Sequence, residues 1–176
     1  VQLRSGRSLD VNLAETERFV REAAAAGARY IQTPENTGIM ELDRALLLAA
    51  AAPGRIEPAV ARLRALAKDL GVWLHIGSLA IQVAEGKLAN RSLLIAPDGR
   101  IAASYDKIHM FDVDLTGGER YRESERFEAG TTAVVRATPL ADLGLTICYD
   151  LRFPALYRTL AEAGAEVIAV PSAFTR

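Results

Sequence analysis

The sequence predicts an α/β fold in one domain, residues 1–176, built on a mixed sheet rather than a purely parallel one. Three observations carry this. Amphipathic helical stretches alternate with short apolar strands, the pattern of a sheet covered by helices. A hairpin signal around Pro97-Asp98-Gly99-Arg100 interrupts that alternation, which a purely parallel sheet would not contain. Hydrophobic residues make up 50% of the chain and charged residues 24%, enough for one packed core and too apolar for a disordered chain.

Taken in order, Val1-Gln2-Leu3 reads as the tail of a strand. A helix is expected over about residues 12–26, capped by Asp10 or Asn12. Leu13, Thr16, Val20 and Ala23 share one stripe of it, and Gly27 stands where a helix C-terminal glycine belongs. Residues 28–33 form a short strand closed by Pro34. A second amphipathic helix, about residues 58–70, turns Val60, Leu63, Leu66, Ala67 and Leu70 inward and ends at Gly71. Residues 72–79 read as a mostly apolar strand, and residues 92–96 and 101–105 as the arms of the hairpin. The polar stretch from Lys107 to Gly130, with glycines at 117 and 118, reads as a long ordered loop. Strands at about 133–137 and 143–147, a helix at 154–163 and a strand at 166–170 complete the chain.

Composition narrows the function classes. Basic residues number 21 and acidic residues 22, a net charge of -1, so neither a nucleic acid nor an anionic membrane is an expected partner. The single cysteine, Cys148, excludes an internal disulfide and a multi-cysteine metal site, and two histidines, His75 and His109, leave little to build a metal site with. No uncharged apolar run reaches the roughly 20 residues needed to span a bilayer. No basic-then-apolar leader opens the chain. A cytoplasmic domain is expected.

Cys148 ends an apolar strand and is followed by Tyr149-Asp150-Leu151-Arg152-Phe153-Pro154. A nucleophile on such a strand-to-helix turn is exposed at the sheet edge, with neighbouring backbone N–H groups aimed at the same point, and the helix N-terminus beyond it favours a thiolate. A buried structural cysteine is the competing reading. A thiol needs a base or a nearby positive charge at neutral pH. His75 lies inside an apolar strand and reads as a core residue, while His109, in the loop after Lys107, remains possible. A carboxylate base with a lysine is the other route. Glu35 follows its strand immediately, where α/β folds place ligand-contacting groups. Lys107 is one of only three lysines among the 21 basic residues. Glu35, Lys107 and Cys148 each follow an expected strand.

The segments Thr33-Pro34-Glu35-Asn36, Tyr105-Asp106-Lys107-Ile108-His109-Met110-Phe111-Asp112 and Ile147-Cys148-Tyr149-Asp150-Leu151-Arg152-Phe153-Pro154 together resemble the three signature blocks of the nitrilase superfamily of carbon–nitrogen hydrolases. The second and third blocks are most similar to its Nit amidase branch, and the resemblance covers essentially the whole chain. It implies a four-layer α-β-β-α sandwich with mixed sheets. Relatives of this kind begin a few residues before Val1 and continue past Arg176, so the C-terminal part of the sandwich is expected to be missing here.

The resemblance also implies roles. Cys148 matches the nucleophile, Glu35 the general base, Lys107 the lysine that holds the oxyanion, Glu123 a second glutamate beside them, and the Tyr149 N–H the other oxyanion donor. Asp150 and Arg152 fit as struts of the nucleophile turn. No metal or organic cofactor is implied. The expected partners are a small-molecule amide, water and a second copy of the chain, with the helix after Pro154 a candidate interface. An ω-amide of a keto or dicarboxylic acid, or deaminated glutathione, is the expected substrate. Arg120, Arg122 and Arg176 are candidates to recognise its anionic end, against the reading that all three are surface arginines. A carbamoylase or aliphatic amidase of the same superfamily, and a catalytically silent interaction subunit, stay open. A redox-sensor thiol is disfavoured because no resolving cysteine exists.

Overall fold

In the computed structural model, which describes residues 1–174, two β-sheets pack face to face between two layers of helix. The first half of the chain forms α1 (Leu9–Ala25), β1 (Tyr30–Gln32), α2 (Arg44–Ala50), α3 (Pro53–Leu70), β2 (Trp73–Ala84), β3 (Lys87–Ile95) and β4 (Ile101–Asp106). The second half forms β5 (Asp112–Asp114), β6 (Arg120–Arg122), a 3-10 turn Glu123–Glu125, β7 (Phe127–Glu128), β8 (Val134–Ala137), β9 (Asp142–Leu145), a 3-10 turn Cys148–Arg152, α4 (Pro154–Glu162) and β10 (Val167–Ala169). One sheet has the order β1-β2-β3-β4, with β7 also paired to β3. A second has the order β10-β9-β8, and β5 and β6 make a separate ribbon. β1 runs parallel to β2 while β2, β3 and β4 are antiparallel, so the sheet is mixed, as expected.

Alternation along the strands explains the layers, because successive side chains point to opposite faces. Ile31, Leu74, Ile76, Leu93 and Ile95 meet Leu9, Leu13 and Val20 of α1 and Leu63 and Leu66 of α3. Tyr30, Trp73, Leu94 and Tyr105 face the other way and meet Leu143, Leu145 and Ile147 of the second sheet. α4 covers that sheet's outer side: Leu156 and Leu160 are buried, and Gly144 lets Leu160 and Ala165 close on the strand. The four-layer order α-β-β-α is therefore present in this chain, with three strands in the second sheet.

Several boundaries differ from expectation. α1 begins at Leu9, capped by Ser8, whose hydroxyl accepts from Val11 N at 3.5 Å. Asn12 does not cap because its amide is spent elsewhere: Nδ2 donates to Gly6 O and Gly38 O at 2.8 Å each. α3 starts at Pro53 rather than 58. Proline at the first helical position needs no donor, and Pro58 sits inside the helix at the cost of one bond. α2 is an additional helix, capped by Asp43 Oδ1 on Leu46 N at 2.9 Å. Residues 1–3 form no strand; the Val1 amino group donates to Gln32 O at 2.8 Å. β2 and β3 are longer than read, meeting in a hairpin whose turn uses Gly86 at φ 68°. The stretch read as a loop up to Gly130 contains the β5–β6 ribbon, a 3-10 turn and β7.

His75 lies between the sheets and is a core residue. Ser92 Oγ donates to Ile76 O at 3.2 Å, so the neutral ring presents its Nε2–H to Ser92 Oγ at 2.6 Å. Nδ1 then faces the Tyr30 hydroxyl at 2.7 Å. Burial pushes its pKa down from 6.5 to about 4. The unfolded chain therefore takes up this proton first. The stabilisation from keeping His75 neutral is complete above pH 6.5 and is lost as pH falls towards 4. That loss amounts to about 3 kcal/mol at ~1.4 kcal/mol per unit. Urea denaturation at intervals across pH 7 to 4 should show this slope, and His75→Gln should flatten it.

Candidate active site

Glu35 is placed by a tight turn that leaves β1 and folds over β2. Thr33 N donates to His75 O at 3.0 Å, and Gly77 N donates to Thr33 Oγ1 at 2.9 Å. Asn36 then adopts the left-handed conformation, φ 56°, which asparagine tolerates better than most residues, and its N–H is held by Ser78 Oγ at 2.9 Å. Gly77 is required by the closeness of this turn. A Cβ there would lie 2.2 Å from Thr33 O and 2.4 Å from Pro34 O. Glu35 thus ends 5% exposed, with its carboxylate directed at β3 and β4.

Lys107 is the residue after β4, and its backbone is stretched between two neighbours. Its N–H donates to Asn90 O at 3.0 Å and its carbonyl accepts from Gly130 N at 2.8 Å. The bidentate Arg91–Asp106 pair, at 2.6 and 2.8 Å, clamps β3 to β4 one residue earlier. The ammonium is 1% exposed and lies 2.8 Å from Glu35 Oε1, 3.0 Å from Glu123 Oε1 and 2.8 Å from Glu123 Oε2. Burial alone would pull its pKa down, but the charges of Glu35 and Glu123 outweigh that and hold it raised. Glu123, 7% exposed at the head of the 3-10 turn, also accepts from Phe111 N at 2.7 Å. Asn90 joins both carboxylates, its Nδ2 donating to Glu35 Oε1 and Glu123 Oε1 at 3.0 Å each.

Cys148 sits at the turn that leaves β9, in the left-handed conformation with φ 46°. A non-glycine residue there is strained, and the surroundings enforce it. Cys148 N donates to Pro171 O at 2.9 Å. Asp150, fully buried, gathers four donors: Ile147 N at 2.9 Å, the Tyr105 hydroxyl at 2.6 Å, and His109 N and Nδ1 at 3.0 and 2.7 Å. It is the strut expected. Arg152 is exposed and is not one. Within the turn, Asp150 N takes Ile147 O and Cys148 N takes Pro171 O, leaving the Tyr149 N–H as an uncommitted donor of the helix start.

The thiol is raised to about 11, first by burial and then by the charge of and hydrogen bond to Glu35, against the Ala173 N–H and Lys107. The expectation that the helix start lowers it is corrected: the half-buried position beside a carboxylate outweighs the turn's dipole. The Ala173 N–H donates to Glu35 Oε2 at 3.0 Å, two residues past the Pro171 carbonyl that holds the Cys148 N–H. The structure therefore brings Glu35, Lys107 and Glu123 into direct contact, with Cys148 close enough for the charges of Glu35 and Lys107 to act on its thiol; the Tyr149 N–H follows Cys148 in the turn.

Arg120 and Arg122 are not part of that cluster. Arg120 Nε is paired with Asp114 at 3.0 Å, and Arg122 holds the same carboxylate at 2.7 and 2.8 Å, across the β5–β6 ribbon. Arg176 lies outside the described residues. His109 does not serve Cys148; it is fixed by Asp150 and stacked on Phe153 with ring centroids 3.6 Å apart. An aromatic row that the sequence reading did not single out runs from Tyr121 through Phe111 and Tyr149 to Phe153 beside the nucleophile turn. Asn90 was also passed over; a polar residue amid the apolar β3 sequence was its only signal. Among the described residues, no group of three His, Cys, Asp or Glu is arranged to hold a metal ion.

Comparison with known proteins gives the family and the fold. The family model described as Carbon-nitrogen hydrolase matches residues 1–175. A deaminated glutathione amidase of Yersinia enterocolitica is 40% identical over all of this chain and 62% of its own length. The omega-amidase NIT2 of Homo sapiens is 33% identical over 99% of this chain and 62% of its own. The crystal structure of the C. elegans NitFhit protein superposes with a TM-score of 0.90 at 32% identity, over 99% of this chain and 43% of that one. This chain thus spans about 62% of the length of the curated relatives it matches.

Two outcomes follow from the site's construction. Gly77→Ala forces a side chain into the Thr33–Pro34 backbone, and denaturant titration should show a loss of roughly 1–3 kcal/mol or more. Glu35→Gln removes the charge that raises the thiol. The midpoint for Cys148, read as thiolate absorbance minus that of Cys148→Ser, should fall below about 11 while burial keeps it above the ordinary 9.0.

Proposed function

This chain belongs to the carbon–nitrogen hydrolase family, and from that membership we propose that it carries the catalytic machinery of a thiol-dependent amidohydrolase acting on a small, non-peptide amide. The observation that carries the reading is the buried Lys107 ammonium shared between Glu35 and Glu123, beside a Cys148 thiol that is held at positive φ and raised by the charge of Glu35. A raised thiol is a poor resting nucleophile, so it must lose its proton during attack. Glu35 is the group in place to take it.

The steps then balance without a cofactor. Sγ attacks the amide carbon as its proton passes to Glu35. The carbonyl oxygen becomes an oxyanion held by the Tyr149 N–H and Lys107, each such donor worth ~3 kcal/mol of barrier. In the resting site the three N–H groups of Lys107 face three carboxylate oxygens, at 2.8, 3.0 and 2.8 Å. Protonation of Glu35 weakens its claim on one of them, and that N–H turns to the oxyanion. The C–N bond breaks as Glu35 protonates the departing nitrogen, leaving a thioester and ammonia. Glu35 next takes a proton from water, whose oxygen attacks the thioester, and the C–S bond breaks as Glu35 returns that proton to Sγ, releasing the carboxylic acid and restoring the thiol and the carboxylate. Glu123 keeps Lys107 charged and in place.

The substrate class follows the relatives: an ω-amide of a keto or dicarboxylic acid, or deaminated glutathione. Arg120 and Arg122 would reach its anionic end by leaving Asp114, and Arg176 remains a third candidate. The free thiol fits a reducing compartment, the cytoplasm, and no helix among the described residues is long and apolar enough to cross a membrane. A homodimer belongs to the same reading. The apolarity of α4 does not mark its interface, because Leu156 and Leu160 point inward while Arg158, Thr159 and Glu162 face out.

Ammonia release from α-ketoglutaramate, deaminated glutathione, a carbamoyl amino acid and an aliphatic amide tests the proposal in the intact protein. One class is turned over by wild type and none by Cys148→Ala. Lys107→Ala loses at least ~100-fold in rate and about 3–5 kcal/mol of stability, since two buried carboxylates are left without their cation. Undiminished turnover by Cys148→Ala would falsify the thioester route.

A further inference from the structure

We propose that Asn90 is a positioning residue that makes the two glutamates of the site unequal, so that Glu35 and not Glu123 receives the thiol proton, and receives it on Oε2. The inference rests on the hydrolase reading above and adds a residue to it. Asn90 is 2% exposed and sits at a seam of the first sheet. The β4 partners of β3 end at Arg91↔Asp106, and its β7 partners begin at Ala89↔Glu128. Lys107 leaves β4 at this seam, bonded to Asn90 O. Asn90 therefore faces the lysine and both carboxylates from the middle of the sheet.

The argument is a count of acceptor positions. An ionised carboxylate offers about four lone-pair sites, two on each oxygen. Glu123 has all four engaged: Oε1 by Lys107 and Asn90, Oε2 by Lys107 and Phe111 N. Among the described residues Glu35 has three engaged: Oε1 by Lys107 and Asn90, Oε2 by Ala173 N. The open position is on Oε2, the oxygen that accepts from Ala173 N, two residues past the Pro171 carbonyl that holds the Cys148 N–H. Glu123 can accept a proton only by giving up a bond, and Glu35 Oε1 likewise. Without Asn90, one position opens on Oε1 of each glutamate, and the proton gains two resting places away from the thiol.

The orientation of the Asn90 amide supports this. Turned over, it would set Oδ1 against two carboxylate oxygens, so charge dictates that the NH2 group faces them. Oδ1 is then buried without a partner. It is the one such side-chain atom among the described residues. A buried orphan acceptor is unfavourable, and it persists here because the two donors of the same amide are needed. The titratable groups around Glu35 are Lys107 after β4, Glu123 after β6 and Cys148 after β9; Asn90 touches two of the carboxylates and can bias protonation without titrating itself.

The test compares wild type, Asn90→Ala and the isosteric Asn90→Asp in the intact protein. Its readouts are kcat, KM, the pH profile of kcat/KM, and the pH profile of iodoacetamide alkylation at the single cysteine. Asn90→Ala should lower kcat roughly ten- to a hundredfold, leave KM within about twofold, and move the acidic limb of both profiles up by about one pH unit, because the ionised carboxylates lose a donor. Asn90→Asp adds a third carboxylate and should move the limb further while circular dichroism stays native. It carries the test if the alanine variant does not fold. Variants that lose thermal stability or active fraction but keep the wild-type limb would show a structural role and overturn the proposal, as would full activity in Asn90→Asp. A wild type that turns over no amide and whose alkylation shows no limb sensitive to Glu35→Gln fails the hydrolase reading itself, and this inference with it.

Discussion

A lysine ammonium almost wholly removed from water is the constraint on which this structure turns. Lys107 could not remain charged at its depth without the two carboxylates that contact it, and neither carboxylate could remain buried without the lysine. The three groups come from chain segments far apart in sequence, so satisfying them fixes where each segment must stop. β1 ends early so that Glu35 can turn back over β2, with Gly77 letting the backbones touch. β4 ends at Asp106, clamped by Arg91, and the ribbon β5–β6 returns the chain so that Glu123 arrives from the opposite side. Removing any one partner leaves a buried charge unmatched, which is why the site and the sheet cannot be separated energetically.

Cys148, the proposed nucleophile, is tied to that frame through backbone rather than through side-chain charge. Asp150 collects donors from β4, from the loop after Lys107 and from its own turn, and so holds Cys148 at a positive φ that it would not otherwise adopt. Residues 171–173, following β10, then close the arrangement. Pro171 O holds the Cys148 N–H, and the Ala173 N–H reaches Glu35. β9 and β10 are parallel neighbours, so the strand that carries the nucleophile and the strand that delivers the Ala173 donor move as one unit. The strained residue is thus secured from both sheets at once.

How much of this is legible in the sequence depends on whether the signal is local. Glu35 and Cys148 each stand at the end of an apolar run closed by a turn, and such positions can be read without knowing the partners. The hairpin of β2 and β3 is hidden because Asn90, Arg91 and Ser92 break the apolar pattern. Each of them serves a tertiary partner: the two glutamates, Asp106 and His75 respectively. α2 is hidden because an alanine-rich stretch with only Leu47 buried has no stripe to detect. Asn12 looks like a cap and is instead a tertiary cross-link, so Ser8 takes that place. Arg120 and Arg122 suggest anion binding only until Asp114 is seen across the ribbon.

In the proposed reaction, the choice of Glu35 as base follows from what the other candidates are already doing. His75 is neutral, held at both ring nitrogens within the core, and pushed to a pKa of about 4, so it cannot exchange protons near neutrality with a thiol. His109 has its Nδ1 on Asp150 and its ring face on Phe153; turning towards Cys148 would unmake the support of the nucleophile turn. A positive neighbour alone does not suffice either. Lys107 favours the thiolate, yet burial and the charge of Glu35 leave the thiol well above its ordinary value. Nothing in this environment stores a thiolate at rest. In the proposed reaction the proton has to move as the sulfur attacks and return for the leaving nitrogen, so one group must serve both transfers from one place. A carboxylate with a single open acceptor position beside the thiol meets that requirement; a fully engaged carboxylate or a pinned imidazole does not.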